Sequence, residues 1–226
     1  MRKSIMAAMF LIASLATPSN ANAQNSSGNV VSLDSWETIK LSYSPTTFES
    51  ITDDMDFNGF SFEYIKGQNV VDNKPIFLEW GIGAEILNYT DEDSEYYEGY
   101  RINVEEAINI ADIYIPVNIG YKLAINNNTT IMPYVGIKAQ LNIFAEERME
   151  VSAGTYSEEE TLNLFDREDM GDNYVKRVWV GWHIGATIEM NKWSVGIRYG
   201  KSFNDKVIND IYSKVAATTI SVGYFF

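Results

Sequence analysis

Apolar and polar residues alternate one for one along several long stretches of this chain, a pattern that only an extended strand with two different faces can use. The clearest case is Ile113-Tyr114-Ile115-Pro116-Val117-Asn118-Ile119-Gly120-Tyr121-Lys122-Leu123, whose odd positions are apolar while Asn118, Gly120 and Lys122 fall on even ones. Val135, Ile137, Ala139, Leu141 and Ile143 repeat it against Tyr134, Gly136, Lys138, Gln140 and Asn142. Val178, Val180, Trp182, Ile184, Ala186 and Ile188 do so against Gly181, His183, Gly185, Thr187 and Glu189. The alternation predicts eight strands: Trp36–Ser44, Phe57–Lys66, Ile76–Tyr89, Ile108–Ala124, Thr130–Phe144, Val175–Met190, Trp193–Phe203 and Val215–Phe226. Most run about 9 to 15 residues, longer than globular strands and suited to tilted membrane crossings. After the first 23 residues no run reaches the ~18 apolar residues of a transmembrane helix.

The connections alternate too. Pro45–Asp56, Thr90–Asn109, Ala145–Tyr174 and Asn204–Lys214 are long or irregular, whereas Gly67–Pro75, Ile125–Thr129 and Asn191-Lys192 are short. Transmembrane barrels carry short turns on one side and long loops on the other. An even strand number places both termini on the short-turn side. Trp36, Tyr64, Trp80, Tyr121, Trp193, Tyr224 and Phe226 are expected on the apolar face near that side, with Tyr43, Tyr89 and Tyr199 near the other, as two interfacial girdles.

Residues 1–23 have the form of a cleavable export signal: Arg2 and Lys3, an apolar run from Ile5 to Ala16, then Ala21-Asn22-Ala23. Residues 24–35 are expected as a short N-terminal periplasmic segment and 36–226 as the barrel. Cysteine is absent, so disulfides and a lipidated cysteine are excluded.

Two faces do not by themselves say which one meets water. A soluble lipocalin-like barrel has the same periodicity and turns its polar face out. Here that face is rich in glycine, at Gly59, Gly81, Gly83, Gly120, Gly136, Gly181, Gly185, Gly196 and Gly223, and glycine suits a strand only where neighbours crowd it. The interior of an eight-stranded barrel supplies that crowding. The face also carries Lys40, Lys122, Lys138, Arg198 and Lys201 against Glu63, Glu79, Glu85 and Glu189. These nine are expected to pair inside a narrow lumen with Asn118, Gln140 and Asn142, because buried charges persist only when satisfied. The expectation is a polar plug, neither a ligand cavity nor an open pore.

Net charge is −14, which argues against nucleic acid as a partner. Thr90–Glu106 contributes −6 and Ala145–Asn173 contributes −8, so the charge sits in two expected external loops. A solvated acidic surface, divalent bridging to lipopolysaccharide and contact with a cationic partner all fit. Asp166-Arg167-Glu168-Asp169-Met170-Gly171-Asp172 has the look of a calcium loop, but Met170 stands where an oxygen ligand is needed. His183 is the single histidine, on the inward face, with no serine element to make a hydrolytic triad and no second soft or imidazole ligand for a metal. No cofactor, metal or catalytic residue is expected.

The export signal, Ile115-Pro116-Val117-Asn118-Ile119-Gly120-Tyr121-Lys122, Pro133-Tyr134-Val135-Gly136 and the ending Gly223-Tyr224-Phe225-Phe226 together resemble the outer-membrane β-barrel domain family, the porin-like group with OmpX and OmpA-barrel types. The resemblance implies an eight-stranded antiparallel up-and-down barrel, integral in the cell outer membrane with both termini periplasmic. It also implies contact with outer-membrane lipid and lipopolysaccharide, and insertion by the barrel-assembly machinery. Ile220, Val222, Tyr224 and Phe226 match the C-terminal strand signal that this machinery reads. Family members serve as structural supports, adhesins, immune-evasion proteins and, rarely, lipid enzymes, so the fold does not choose a role. The expectation carried forward is a non-enzymatic structural or surface-interaction barrel whose external partner is undefined. A small-solute channel, a lipid-modifying barrel enzyme and a soluble lipocalin-like binder are the alternatives.

Overall fold

The computed structural model describes residues 35–50, 54–70, 74–97, 100–126, 128–172, 174–208 and 213–226. The expected signal and the 24–34 segment lie outside the described residues. Among the described residues eleven strands run in chain order as β1 (Ser35–Tyr43), β2 (Thr46–Ser50), β3 (Met55–Asn69), β4 (Ile76–Tyr97), β5 (Tyr100–Tyr121), β6 (Leu123–Asn126), β7 (Thr129–Ala153), β8 (Tyr156–Asn163), β9 (Val178–Met190), β10 (Trp193–Ser202) and β11 (Ser213–Phe225). Eight of them close a ring in the order β1-β3-β4-β5-β7-β9-β10-β11, and β11 pairs back on β1 from Thr38↔Phe225 to Tyr43↔Ile220. All neighbours are antiparallel. Closure leaves no open edge within the ring, the condition for strands to cross hydrocarbon.

Each expected strand corresponds to one place in the ring. The first ends at Tyr43, before Ser44-Pro45, because proline has no N–H to give to a neighbour; β2 then resumes between β3 and β11, inside the Pro45–Asp56 connection expected as a loop. The second departure is larger. In the expected loops Thr90–Asn109 and Ala145–Tyr174, residues 90–97, 100–109, 145–153 and 156–163 are strand. The β4–β5 ladder continues unbroken from Tyr89↔Ile108 to Tyr97↔Tyr100. Likewise β7 runs on to Ala153, turns at Gly154 with φ 61°, and returns as β8. These extensions have no apolar alternation because they need none: above a membrane, both faces of a hydrogen-bonded ladder meet water. A one-residue bulge marks the change of regime, with Asp112↔Asn142 followed by Ala111↔Phe144, so Ile143 has no opposite number.

The apolar face points outward. Leu41, Phe60, Ile115, Val178, Ile197 and Ile220 are each more than half exposed, and Ile86, Ile119, Ile184 and Val222 share that surface. The polar face points in. A lipocalin-like barrel requires the reverse. Inward glycines relieve crowding as expected from their pattern: a methyl group on Gly83 would overlap the Tyr114 ring, and one on Gly120 would overlap Phe77. Tyr64, Trp80, Tyr121, Trp193, Tyr224 and Phe226 lie on the outward face at one end, and Tyr43 and Tyr199 at the other. Two expected girdle residues do not. Trp36 is in phase with buried Thr38 and Lys40 and packs edge-on against Phe77 at 5.8 Å. Tyr89 is in phase with buried Leu87 and packs on Phe57 at 5.4 Å. Both sit where a strand leaves the bilayer, and there an aromatic is equally useful stoppering the lumen.

Candidate functional site: a sealed lumen beneath an acidic sheet

Successive strands deliver inward side chains at the same height, and their charges interlock. Lys40 on β1 stands directly opposite Glu63 on β3. Glu63 accepts from Arg198 Nη1 on β10 and from the Tyr114 hydroxyl on β5, both at 2.8 Å. Lys138 on β7 reaches Glu85 on β4 at 3.3 Å, its ammonium lying over the rings of Tyr114 and Trp179. Toward the other end, Glu79 accepts from Asn118 Nδ2 at 3.2 Å and Trp36 Nε1 at 3.3 Å. Lys122 covers the Trp36 ring at 3.6 Å, and Glu189 faces the lumen in phase with Thr187.

Eight of the nine sequence-predicted lumen charges are thus inward. Lys201 is the exception. Alternation along β10 buries Ser202 and turns Lys201 outward with Tyr199, where it meets Glu49 of β2 at 2.6 Å. Asp112 was missed and is inside, only 1% exposed, with Oδ2 accepting from Gln140 Nε2 at 2.7 Å. It shares the even phase of Asn118 and Gly120, which was the available signal. The exchange leaves five carboxylates against four cations in the lumen. His183 is buried, with Nε2 2.5 Å from Asn118 Oδ1 and its ring edge-on to Tyr134. Since Asn118 gives its amide hydrogens to Glu79, its oxygen faces His183 and Nε2 carries the proton.

Both ends of this layer are stoppered. On the outer side Phe48 of β2 and Phe57, Leu87, Ile110, Trp179 and Val215 of the ring meet Leu164, Val175 and Val207 from the connecting segments in one apolar cluster. Backbone bonds Leu164 N→Ala145 O and Lys176 N→Val207 O tie those segments down. Helix α1 (Arg167–Met170) adds Met170 to the cluster, and the Asp166 side chain caps its Glu168 N–H at 2.9 Å. At the other end Phe77, Met132, Tyr134 and Trp36 form a second cluster. Between them a cavity of about 30 Å³, bordered by Glu85, Lys138, Gln140, His183 and Arg198, has room for a water or two.

Beyond the outer stopper, β4, β5, β7 and β8 form a four-stranded sheet with like charges aligned. Glu92, Glu105, Glu150 and Glu159 stand directly opposite one another in a single row on one face. On the other face Asp91 and Glu106 are paired, and Met149 separates them from Glu160. Arg148 answers part of this, at 2.9 Å from Glu159 and 3.7 Å from Glu150. Elsewhere the repulsion shows in the carboxyls themselves. Burial and then Asp91 raise the pKa of Glu106, and burial followed by Glu106 and Glu160 raises that of Glu147.

No protein-family model and no curated protein matches the chain. Solved structures similar to it are outer-membrane proteins. Ail, the attachment invasion locus protein of Yersinia pestis, in complex with the heparin analogue sucrose octasulfate, is 14% identical over 86% of this chain and 100% of that one, with a TM-score of 0.38. Neisserial surface protein A is 12% identical over 84% and 97%, with a TM-score of 0.39. The outer membrane enzyme PagL is 10% identical over 83% and 98%, also at 0.39. Independently of these likenesses, a ring that hides its charges and shows its aliphatic residues is built for hydrocarbon, and this chain is an eight-stranded transmembrane β-barrel.

Proposed function

We propose that the protein is an integral outer-membrane barrel, exported through residues 1–23, whose work is done outside the membrane by the acidic sheet of β4, β5, β7 and β8. The barrel is its anchor, with both termini periplasmic and Ile220, Val222, Tyr224 and Phe226 presented to the assembly machinery. The observation that carries this reading is the row Glu92, Glu105, Glu150 and Glu159. Like charges directly opposite on a sheet are destabilising, and a chain that keeps four in register carries a surface ready to gain stability from contact with positive charge. A cationic partner, or divalent ions bridging to lipopolysaccharide, supplies that charge. The test is binding of a decalysine peptide to the barrel in lipid nanodiscs, followed by surface plasmon resonance. Binding should weaken steeply with salt and be lost when the four glutamates become glutamine. Equal binding by that variant refutes the role of the row.

The channel alternative is disfavoured by the two apolar clusters that flank the charged layer. Planar bilayers containing the protein should show no stepwise conductance. A lipid-modifying activity is disfavoured by the enclosure of His183 beneath the outer stopper, away from any lipid ester. Lipid A mass should be unchanged when the gene is deleted. Location is tested by the gel mobility of the outer-membrane fraction with and without boiling: a heat-dependent shift is expected, and recovery as an unshifted soluble protein overturns the reading.

A further inference from the structure

Ser42, Ser61, Glu85, Asp112 and Asn142 lie side by side in one row across five neighbouring strands. Four of the five carry a buried oxygen without a hydrogen-bond partner, namely Ser42 Oγ, Ser61 Oγ, Asp112 Oδ1 and Asn142 Oδ1, and Gln140 Oε1 joins them from the next inward position of β7. The serine hydroxyls bring their own hydrogens. The other three oxygens are pure acceptors, on residues only 1–3% exposed. Neither amide can be turned to solve the problem. Asn142 Nδ2 donates to Lys176 O at 3.0 Å and Gln140 Nε2 to Asp112 Oδ2 at 2.7 Å, so a flip in either breaks an existing bond.

Buried acceptors in native proteins are almost always met by a donor or an ion. Lys138, the ammonium nearest this end of the layer, is spent on Glu85 and the faces of Tyr114 and Trp179. The lumen layer as a whole holds one more carboxylate than it has cations. A group that answers three acceptors and one unit of negative charge at once is a cation. We propose that Asp112, Gln140 and Asn142 hold a single hard monovalent cation of about the size of sodium, with Glu85 adding a second carboxylate beside it. Carboxylate and amide oxygens are the ligands such ions prefer. Calcium is a poorer fit, since it takes six to eight oxygens and would leave the layer positive. The cavity bordered by Glu85, Lys138 and Gln140 has room for a water to complete the coordination. Two rivals explain less. A proton on Asp112 would satisfy Asn142 and leave Gln140 unmet, and a water has two hydrogens for three acceptors and leaves the charge.

The site lies beneath the outer stopper, so the ion is taken up as the barrel closes. The experiment therefore refolds the protein from urea into detergent micelles in sodium, potassium or choline chloride at equal ionic strength and compares the unfolding equilibria. With sodium at ten times its Kd, the unfolding constant should be about tenfold lower than in choline, with potassium between them. Asp112→Asn should make the three salts equivalent, since it removes the charge and supplies a donor. Should that variant not fold, the ranking of the salts by ion size in the wild type still decides the matter. The variant with Glu92, Glu105, Glu150 and Glu159 changed to Gln should keep the sodium effect, which separates this site from the outer sheet. Identical midpoints in the three salts overturn the proposal. Identical midpoints that move with pH, and cease to do so in Asp112→Asn, replace the ion with a proton.

Discussion

Exchanging Arg198 for Met removes a guanidinium while keeping most of the side chain's length and packing. Glu63, 3% exposed, would lose a 2.8 Å charged hydrogen bond and keep the Tyr114 hydroxyl and the Lys40 charge opposite it. A hydrogen bond to a charged group contributes about 1.5–3 kcal/mol. Stranding the carboxylate in a closed interior brings the expected loss to about 3–5 kcal/mol. The second change decides what kind of loss it is. Glu63→Gln keeps an oxygen for Tyr114 and removes the stranded charge, so Arg198→Met with Glu63→Gln should recover at least half of the deficit, a coupling of about 2 kcal/mol. Urea unfolding in micelles, followed by tryptophan fluorescence and gel mobility, measures all three variants against the parent. A loss below about 1 kcal/mol for Arg198→Met, or a double variant as unstable as the two singles added, refutes the claim that this pair is dry and mutually dependent.

Arginine in place of outward Ile137 should cost about 2–4 kcal/mol near mid-bilayer, whereas arginine at exposed Thr155 in the β7–β8 turn should cost nothing measurable; equal tolerance would refute the face assignment. Gly83→Leu should lower the unfolding free energy by about 1–3 kcal/mol through overpacking against Tyr114, read as a lower midpoint in urea at unchanged slope. The raised carboxyls of Glu106 and Glu147 bind protons more readily folded than unfolded. The outer sheet should therefore gain stability as pH falls toward the ordinary carboxylate range near 4.3, and lose it as pH rises through the folded values. Hydrogen exchange of β7 and β8, corrected for intrinsic rate, should be slower near pH 5 than pH 8, and Glu147→Gln should flatten that dependence.

What alternation could reveal was decided by the solvent around each strand. In Ile113–Leu123 hydrocarbon on one side and a packed lumen on the other force unlike residues onto the two faces, and the strand, its register and its inward set were readable. In Asp91–Tyr97 and Arg148–Ala153 water lies on both sides, nothing enforces a period, and the hydrogen-bonded ladder left no trace in hydropathy. Lys201 shows a second limit. It follows inward Gly200, and only strict phase counting from Arg198 puts it outside; near the outer rim a charge is tolerated on either face, so its type carries no information. Asp112 shows a third. Its neighbour Ala111 is small and unremarkable, so the even phase that Asn118 and Gly120 announce fades just where the bulge at Ile143 is about to break it. The aligned glutamates could not have been seen at all, since their register depends on two hairpins closing at the right residues.

Pro45 has a bearing on how the barrel comes to exist. The seam between β1 and β11 joins residues at opposite ends of the chain, as in Thr38↔Phe225, and contacts of such separation form late and slowly. Pro45 divides that seam in two, β1 against Ile220–Phe225 and β2 against Ser213–Ala217. The gap is fastened by Thr218 N donating to Pro45 O at 3.1 Å and by the Ser44 and Thr219 hydroxyls 3.0 Å apart. The seam is thus two short ladders joined at one proline, so a substitution that loosens β2 from Ser213–Ala217 should leave the pairing of β1 with Ile220–Phe225 standing.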